Sequence, residues 1–159
     1  MALVYLGLGT NLGDKEQNLN DAVMALAPEI GNVLSLSSFY VSKSWGFESE
    51  NDFVNAVLLV ETTLSPFALL AKIQEIERCL GRPAKDVPEY VDRIIDIDIL
   101  LYDNLIINQP TLKIPHPLLA ERDFVLLPLT EIAPDLVHPV FGKKMIELSI
   151  AKPLNNKSV

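Results

Sequence analysis

The sequence predicts an α+β domain built on an antiparallel sheet, and three observations carry that expectation. Apolar segments that alternate with period two lie near residues 3–8, 33–40, 52–62 and 94–102. Two stretches with helical spacing lie between them, one after the first strand and one after the third. The order β-α-β-β-α-β that results is the ferredoxin-like pattern, with the helices packed on the sheet. Residues 103–159 then form a C-terminal extension, and a length of 159 residues suits one domain spanning 1–159.

The first strand runs into Gly9-Thr10-Asn11-Leu12-Gly13, a tight strand-to-helix turn. Asp14 then reads as an N-cap with Gln17 three residues on, and Leu19, Val23 and Leu26 keep helical spacing until Pro28 and Gly31 stop the helix. A strand over 33–40 leads into a polar loop over 41–51 and a third strand over 52–62. Ser65 and Pro66 are an N-cap and N1 pair, Gly81 suits C′, and Leu69, Leu70, Ile73, Ile76 and Leu80 mark the buried stripe between them. Residues 82–92 read as a mobile loop before the strand 94–102. After it come a hairpin near 103–114, a stiff turn at Pro115-His116-Pro117 and short helical pieces through Ile132. The polar end 152–159 is expected to fray.

Composition narrows the function. With 49% hydrophobic and 21% charged residues the chain is ordinary globular material. No apolar run approaches the length of a membrane span, and no basic, apolar leader opens the sequence. One cysteine, Cys79, permits no internal disulfide and no cysteine metal site; a reducing cytoplasm is the expected compartment. It is expected to pack at a helix end. A net charge of −8 argues against binding a nucleic-acid backbone. A small anionic ligand remains open if the few arginines converge.

The most informative segment is Arg93-Ile94-Ile95-Asp96-Ile97-Asp98-Ile99-Leu100-Leu101-Tyr102. Strand alternation puts Ile95, Ile97, Ile99 and Leu101 on one face and Ile94, Asp96, Asp98 and Leu100 on the other. Two adjacent carboxylates suit a hard cation such as Mg²⁺, which completes its shell with phosphate oxygens and water; they also suit an edge strand with solvated acids. Gly7-Leu8-Gly9 with Gly13 is one residue off a dinucleotide fingerprint and says little alone. Phe53 and Asn55 share a face, an aromatic beside an amide that can read the edge of a flat heterocycle, or a core residue beside a turn cap. Arg82, Lys85, Arg93 and Arg122 lie in or beside loops able to face the aspartates, although each also suits a solvated surface. Gln74 and Glu77 share a helix face, for which a solvated polar edge is the simpler reading. His116, stiffened by two prolines, suits a fixed donor to a phosphate, whereas His138 reads as structural.

Together, four blocks resemble the 6-hydroxymethyl-7,8-dihydropterin pyrophosphokinase family of folate biosynthesis. They are Gly7 through Asp14, Asp52-Phe53-Val54-Asn55-Ala56, the Arg93 to Leu100 strand, and Pro115-His116-Pro117 with Arg122-Asp123-Phe124-Val125-Leu126. The resemblance implies transfer of the pyrophosphoryl unit of ATP to a hydroxymethyl pterin. It implies two Mg²⁺ ions on Asp96 and Asp98, and Arg82 and Arg93 beside them as catalytic residues. ATP would meet Gln74, Glu77, Arg82, Lys85, Arg93, Ile99, His116 and Arg122. The pterin would lie between Phe53 and Phe124, with Asn11, Ser42, Lys43, Trp45, Asn55 and Asp96 around it. The implied enzyme is a cytoplasmic monomer that binds neither nucleic acid nor membrane.

The chain departs from the family pattern at Ala84, Tyr90, Val91, Asp92 and Thr111, which makes its lid less basic. Two rivals stand beside this reading. Another Mg²⁺-dependent transferase would not need Phe53, Asn55 and Phe124 to converge. A ferredoxin-like binding module would release no AMP.

Overall fold

The computed structural model describes residues 1–42, 52–81 and 94–151. β1 (Ala2–Thr10), β2 (Asn32–Leu36), β4 (Phe53–Thr62) and β5 (Asp96–Tyr102) form an antiparallel sheet in the order β2-β4-β1-β5, with β3 (Tyr40–Ser42) beside β4. α1 (Lys15–Ile30) and α2 (Pro66–Cys79) pack on one face, and α3 (Asp123–Ile132) and α4 (Met145–Ala151) on the other. A separate hairpin joins β6 (Ile107–Gln109) to β7 (Leu112–Ile114). The ferredoxin-like core is therefore present, and the extension supplies a third layer.

The sheet's period-two alternation divides its side chains between the two cores. Val4, Leu6 and Leu8 of β1 meet Leu19, Ala22 and Leu26 of α1 and Leu69 and Ile73 of α2. Tyr5, with Val57 of β4, meets Leu126 and Leu129 of α3 and Met145 of α4. Burial of these apolar side chains, each worth roughly 1.5–3 kcal/mol, clamps the sheet from both sides.

Local differences from the sequence-based expectations have identifiable causes. Pro28 does not stop α1, which runs to Ile30. The carbonyl left without a donor is that of Met24, four residues back, and both residues lie on the exposed face where water can serve it. Gly31 caps the helix at a φ of +145°, and only glycine fits there because a Cβ would collide with the Glu61 carbonyl oxygen. The N-cap is half of a capping box. The Asp14 side chain accepts from the Gln17 N–H at 3.2 Å, whereas the Gln17 side chain turns forward to Asp21. Ala22 and Ile30, more than Val23, complete the buried stripe of α1.

The expected strand 33–40 is two strands, β2 and β3. Between them Ser37 bonds β4 through both its backbone and its hydroxyl, taking the Val57 N–H at 2.9 Å. Residues 43–51, 82–93 and 152–159, which hold most of the expected loop 41–51, the expected lid and the expected frayed end, lie outside the described residues.

Leu101 does not share a face with Ile95, Ile97 and Ile99. The pairing steps from Leu6–Ile99 to Tyr5–Leu101, leaving Leu100 as an extra residue in a β-bulge. Leu100 and Leu101 therefore both enter the α3 side, and Tyr102 takes the α1/α2 side.

Candidate active site

The site is built around two glycines of the central strand. Gly9 pairs with Asn55 of β4 and with Asp96 of β5, so Asn55, Gly9 and Asp96 form one rung across three strands. Val57, Gly7 and Asp98 form the next rung on the same face. A Cβ at Gly9 would lie 3.1 Å from Asn55 Oδ1 and 3.7 Å from the Phe53 ring. Glycine at this point leaves a flat patch bounded by Phe53, Asn55 and Asp96. At Gly7 the corresponding space is taken by Leu100, whose side chain a Cβ would meet at 3.4 Å. Thus the two glycines divide the work: one leaves the floor open and the other seats an apolar wall.

Asn55 is oriented by its neighbours. Its Nδ2 donates to Ser42 Oγ at 2.8 Å and to the Tyr40 carbonyl at 3.2 Å. A carbonyl can only accept, which fixes the amide group with its nitrogen toward β3 and its Oδ1 toward Gly9. Asn55 therefore presents an acceptor to a ligand lying over the patch. A brace outside the site holds β3 in place. Glu131 of α3 accepts from Ser38 N–H at 3.0 Å, Ser38 Oγ at 2.9 Å and Tyr40 Oη at 2.8 Å. Desolvation pushes the Glu131 carboxyl up, and these hydrogen bonds outweigh it and hold the group below its ordinary value. Burial, with the Glu131 contact, pushes the Tyr40 hydroxyl up to about 12. Glu131 is the single acid within the apolar run of α3, a signal that sequence reading passed over.

His116 follows a cis Ile114–Pro115 peptide and is tied to β5 by its backbone N–H, which donates to the Leu100 carbonyl at 2.9 Å. Its Nδ1 accepts from the Leu118 N–H at 3.1 Å. The ring therefore carries its proton on Nε2 when neutral, as a donor fixed in direction. Burial and the charge of Arg122 lower its pKa from 6.5 to about 4, with Asp96 acting in the opposite direction. His116, Arg122 and Asp96 thus sit close enough to sense one another. The Arg122 guanidinium lies 5.6 Å from the centre of the Phe124 ring, at the start of α3, and Phe124 packs on the same side of the sheet as Asn55.

A pH prediction follows. Because the folded pKa lies below 6.5, the unfolded chain binds a proton at His116 that the folded chain refuses. Its contribution to stability is complete above about pH 6.5 and is lost as the pH falls through about 4. The His116 ring signals in an NMR titration should stay flat from neutral pH to 5 and move near 4. A midpoint near 6.5 would show a solvated ring.

The remaining sequence-predicted residues differ in their surroundings. Glu77 is buried and Gln74 exposed, so the solvated polar edge describes only the second. Asn11, which the resemblance sets beside the pterin, is fully buried just after β1. Ile99 points into the α1/α2 core, leaving only its backbone for an ATP contact. His138 is structural: its Nδ1 accepts from the Val140 and Phe141 N–H groups, and the ring stacks on Phe141 at 4.2 Å. Cys79 closes α2 but is exposed. Arg82, Lys85, Arg93, Lys43 and Trp45 lie outside the described residues, as do Ala84, Tyr90, Val91 and Asp92.

Comparison with known proteins gives first the fold and then the family. The wild-type HPPK-DHPS of Plasmodium falciparum, solved with pteroate, superposes with a TM-score of 0.75 over 92% of this chain at 16% identity, and this chain spans 43% of that one. Another HPPK-DHPS, solved in complex with substrates, gives 0.76 over 98% of this chain and 44% of its own length, again at 16% identity. Residues 5–134 match the sequence model of the 7,8-dihydro-6-hydroxymethylpterin-pyrophosphokinase family, abbreviated HPPK. A 2-amino-4-hydroxy-6-hydroxymethyldihydropteridine pyrophosphokinase from Aquifex aeolicus is 44% identical over 98% of this chain and 93% of its own. One from Porphyromonas gingivalis is 47% identical over 87% and 95%. The chain belongs to the 7,8-dihydro-6-hydroxymethylpterin-pyrophosphokinase family.

Proposed function

We propose that this face transfers the pyrophosphoryl group of ATP to the hydroxymethyl group of 6-hydroxymethyl-7,8-dihydropterin, a step of folate biosynthesis. The observation that carries the reading is the rung Asn55–Gly9–Asp96, which sets an acceptor, an open floor and a carboxylate side by side. The flat pterin lies on the floor against Phe53, with its ring N–H and amino donors toward Asn55 Oδ1. Its hydroxymethyl arm then points along the sheet to Asp96 and Asp98.

Asp96 and Asp98 fit Mg²⁺: both are half-buried on one face. Mg²⁺ held there would complete its shell with phosphate oxygens and water. Two such ions supply neutralisation of the triphosphate charge. Around them His116 Nε2–H donates to a phosphate oxygen, Arg122 adds positive charge, and Arg82 and Arg93 complete the set.

The hydroxymethyl oxygen attacks the β-phosphorus and loses its proton to water. The bond from that phosphorus to the oxygen bridging the α-phosphate breaks, and AMP leaves with the electron pair. Positioning and charge compensation supply most of the acceleration in such transfers.

No helix among the described residues is long and apolar enough to cross a membrane. The single cysteine supports a reducing, cytoplasmic setting, and the acidic composition supports small molecules over nucleic acid as substrates.

The test is AMP release from ATP with and without the hydroxymethyl pterin. Equal amounts of AMP and pterin diphosphate, formed only with both substrates and Mg²⁺, are expected. Release of ADP, or AMP formation indifferent to the pterin, would refute the reading.

A further inference from the structure

Glu77 occupies a position where helix α2 has no packing need for a charge. Its stripe otherwise holds Leu69, Ile73 and Ile76, while the polar neighbours Gln74, Glu75 and Arg78 are exposed. Burying a carboxylate there is costly unless it is hydrogen-bonded. Its Oε2 accepts the backbone N–H of Ile97 at 2.7 Å, a short, charge-assisted bond. Ile97 lies in β5, an edge strand whose other side pairs with β1. The bonded amide therefore lies on the side of β5 away from β1, and it sits between Asp96 and Asp98 in sequence. Edge strands slip and fray, and a slip of one residue would turn both carboxylates to the opposite face.

We infer that Glu77 is a positioning residue: its carboxylate anchors the side of β5 away from β1 at Ile97 and so holds Asp96 and Asp98 toward the site. The inference rests on the proposed role of those two aspartates in holding Mg²⁺. It gives Glu77 a role through the backbone, beside the ATP contact that the resemblance implies. The bond to Ile97 needs an acceptor oxygen at this point, so Glu77→Gln should substitute where Glu77→Ala fails.

The test compares Glu77→Gln, Glu77→Ala and the apolar filler Glu77→Leu, each first checked for native circular dichroism. In metal-free protein, hydrogen exchange at the Ile97 amide should accelerate at least about tenfold in the Ala and Leu variants while the β1–β4 ladder stays protected. In the full reaction, the Mg²⁺ concentration for half-maximal turnover should rise about 10- to 100-fold in the same variants, the usual loss when a supporting partner of a metal ligand is removed. The pterin KM should change little, and Glu77→Gln should stay within about threefold on every measure.

Unchanged Ile97 exchange in the Ala and Leu variants would overturn the anchor whatever the activity. Equal damage from Gln and Ala would show a direct role for the charge and overturn it as well. Wild-type turnover that survives complete chelation of Mg²⁺ would instead overturn the metal role of Asp96 and Asp98 beneath it.

Discussion

Asp96→Ala and Asp98→Ala are each expected to lower pyrophosphoryl transfer by at least about 10²–10³-fold, borrowing the loss seen when one preorganised electrostatic partner of a transition state is removed. Both side chains face the same way, from rungs whose β1 members are glycines, so neither is replaceable by the other. The fold should survive. Each residue is half-buried, and deleting one of two neighbouring like charges relieves repulsion in the metal-free protein. Circular dichroism and melting should therefore match the wild type to within a few degrees, and excess Mg²⁺ should not restore the rate. A variant with full turnover would end the metal-ligand assignment.

Gly9→Ala should weaken pterin binding by about 1–3 kcal/mol, the usual cost of forcing extra atoms into a packed site. The new methyl would press on Asn55 Oδ1 at 3.1 Å, and Asn55 has little room to yield because its Nδ2 is held by Ser42 and Tyr40. ATP affinity should change much less. Gly7→Ala is the matched control: its methyl meets the flexible end of Leu100 at ordinary contact distance, so pterin affinity should stay near the wild type. Calorimetric titration of each ligand separates the outcomes. Equal losses for both ligands in Gly9→Ala would place the pterin elsewhere.

Much of this arrangement is legible in the sequence. Helix starts were readable where a side chain caps the backbone locally, as Asp14 and Ser65 do. The facing of Asp96 and Asp98 follows from period two alone. The bulge at Leu100 was not readable, because its cause is the pairing partner Tyr5, far away in sequence. The break at Ser37 likewise depends on Val57 in another strand. At the site, residue types pointed to chemistry, but Asn55 seemed equally able to donate or accept until Tyr40 fixed its direction. Glu77 looked like surface because helical spacing says which residues share a face, not which face meets an edge strand.

The bulge in β5 has a consequence for how the strand tolerates change. Within seven residues it passes from a half that carries the two aspartates of the proposed site to a half sealed beneath α3. A saturation library over Asp96–Tyr102, scored separately for cellular abundance and for rescue of growth without folate, should split at this point. Replacements at Asp96 and Asp98 should leave abundance intact and abolish rescue. Polar replacements at Leu100 and Leu101 should remove both together, because the protein itself is lost. Selection would thus write two different constraints side by side on one strand, with the boundary set by a single extra residue.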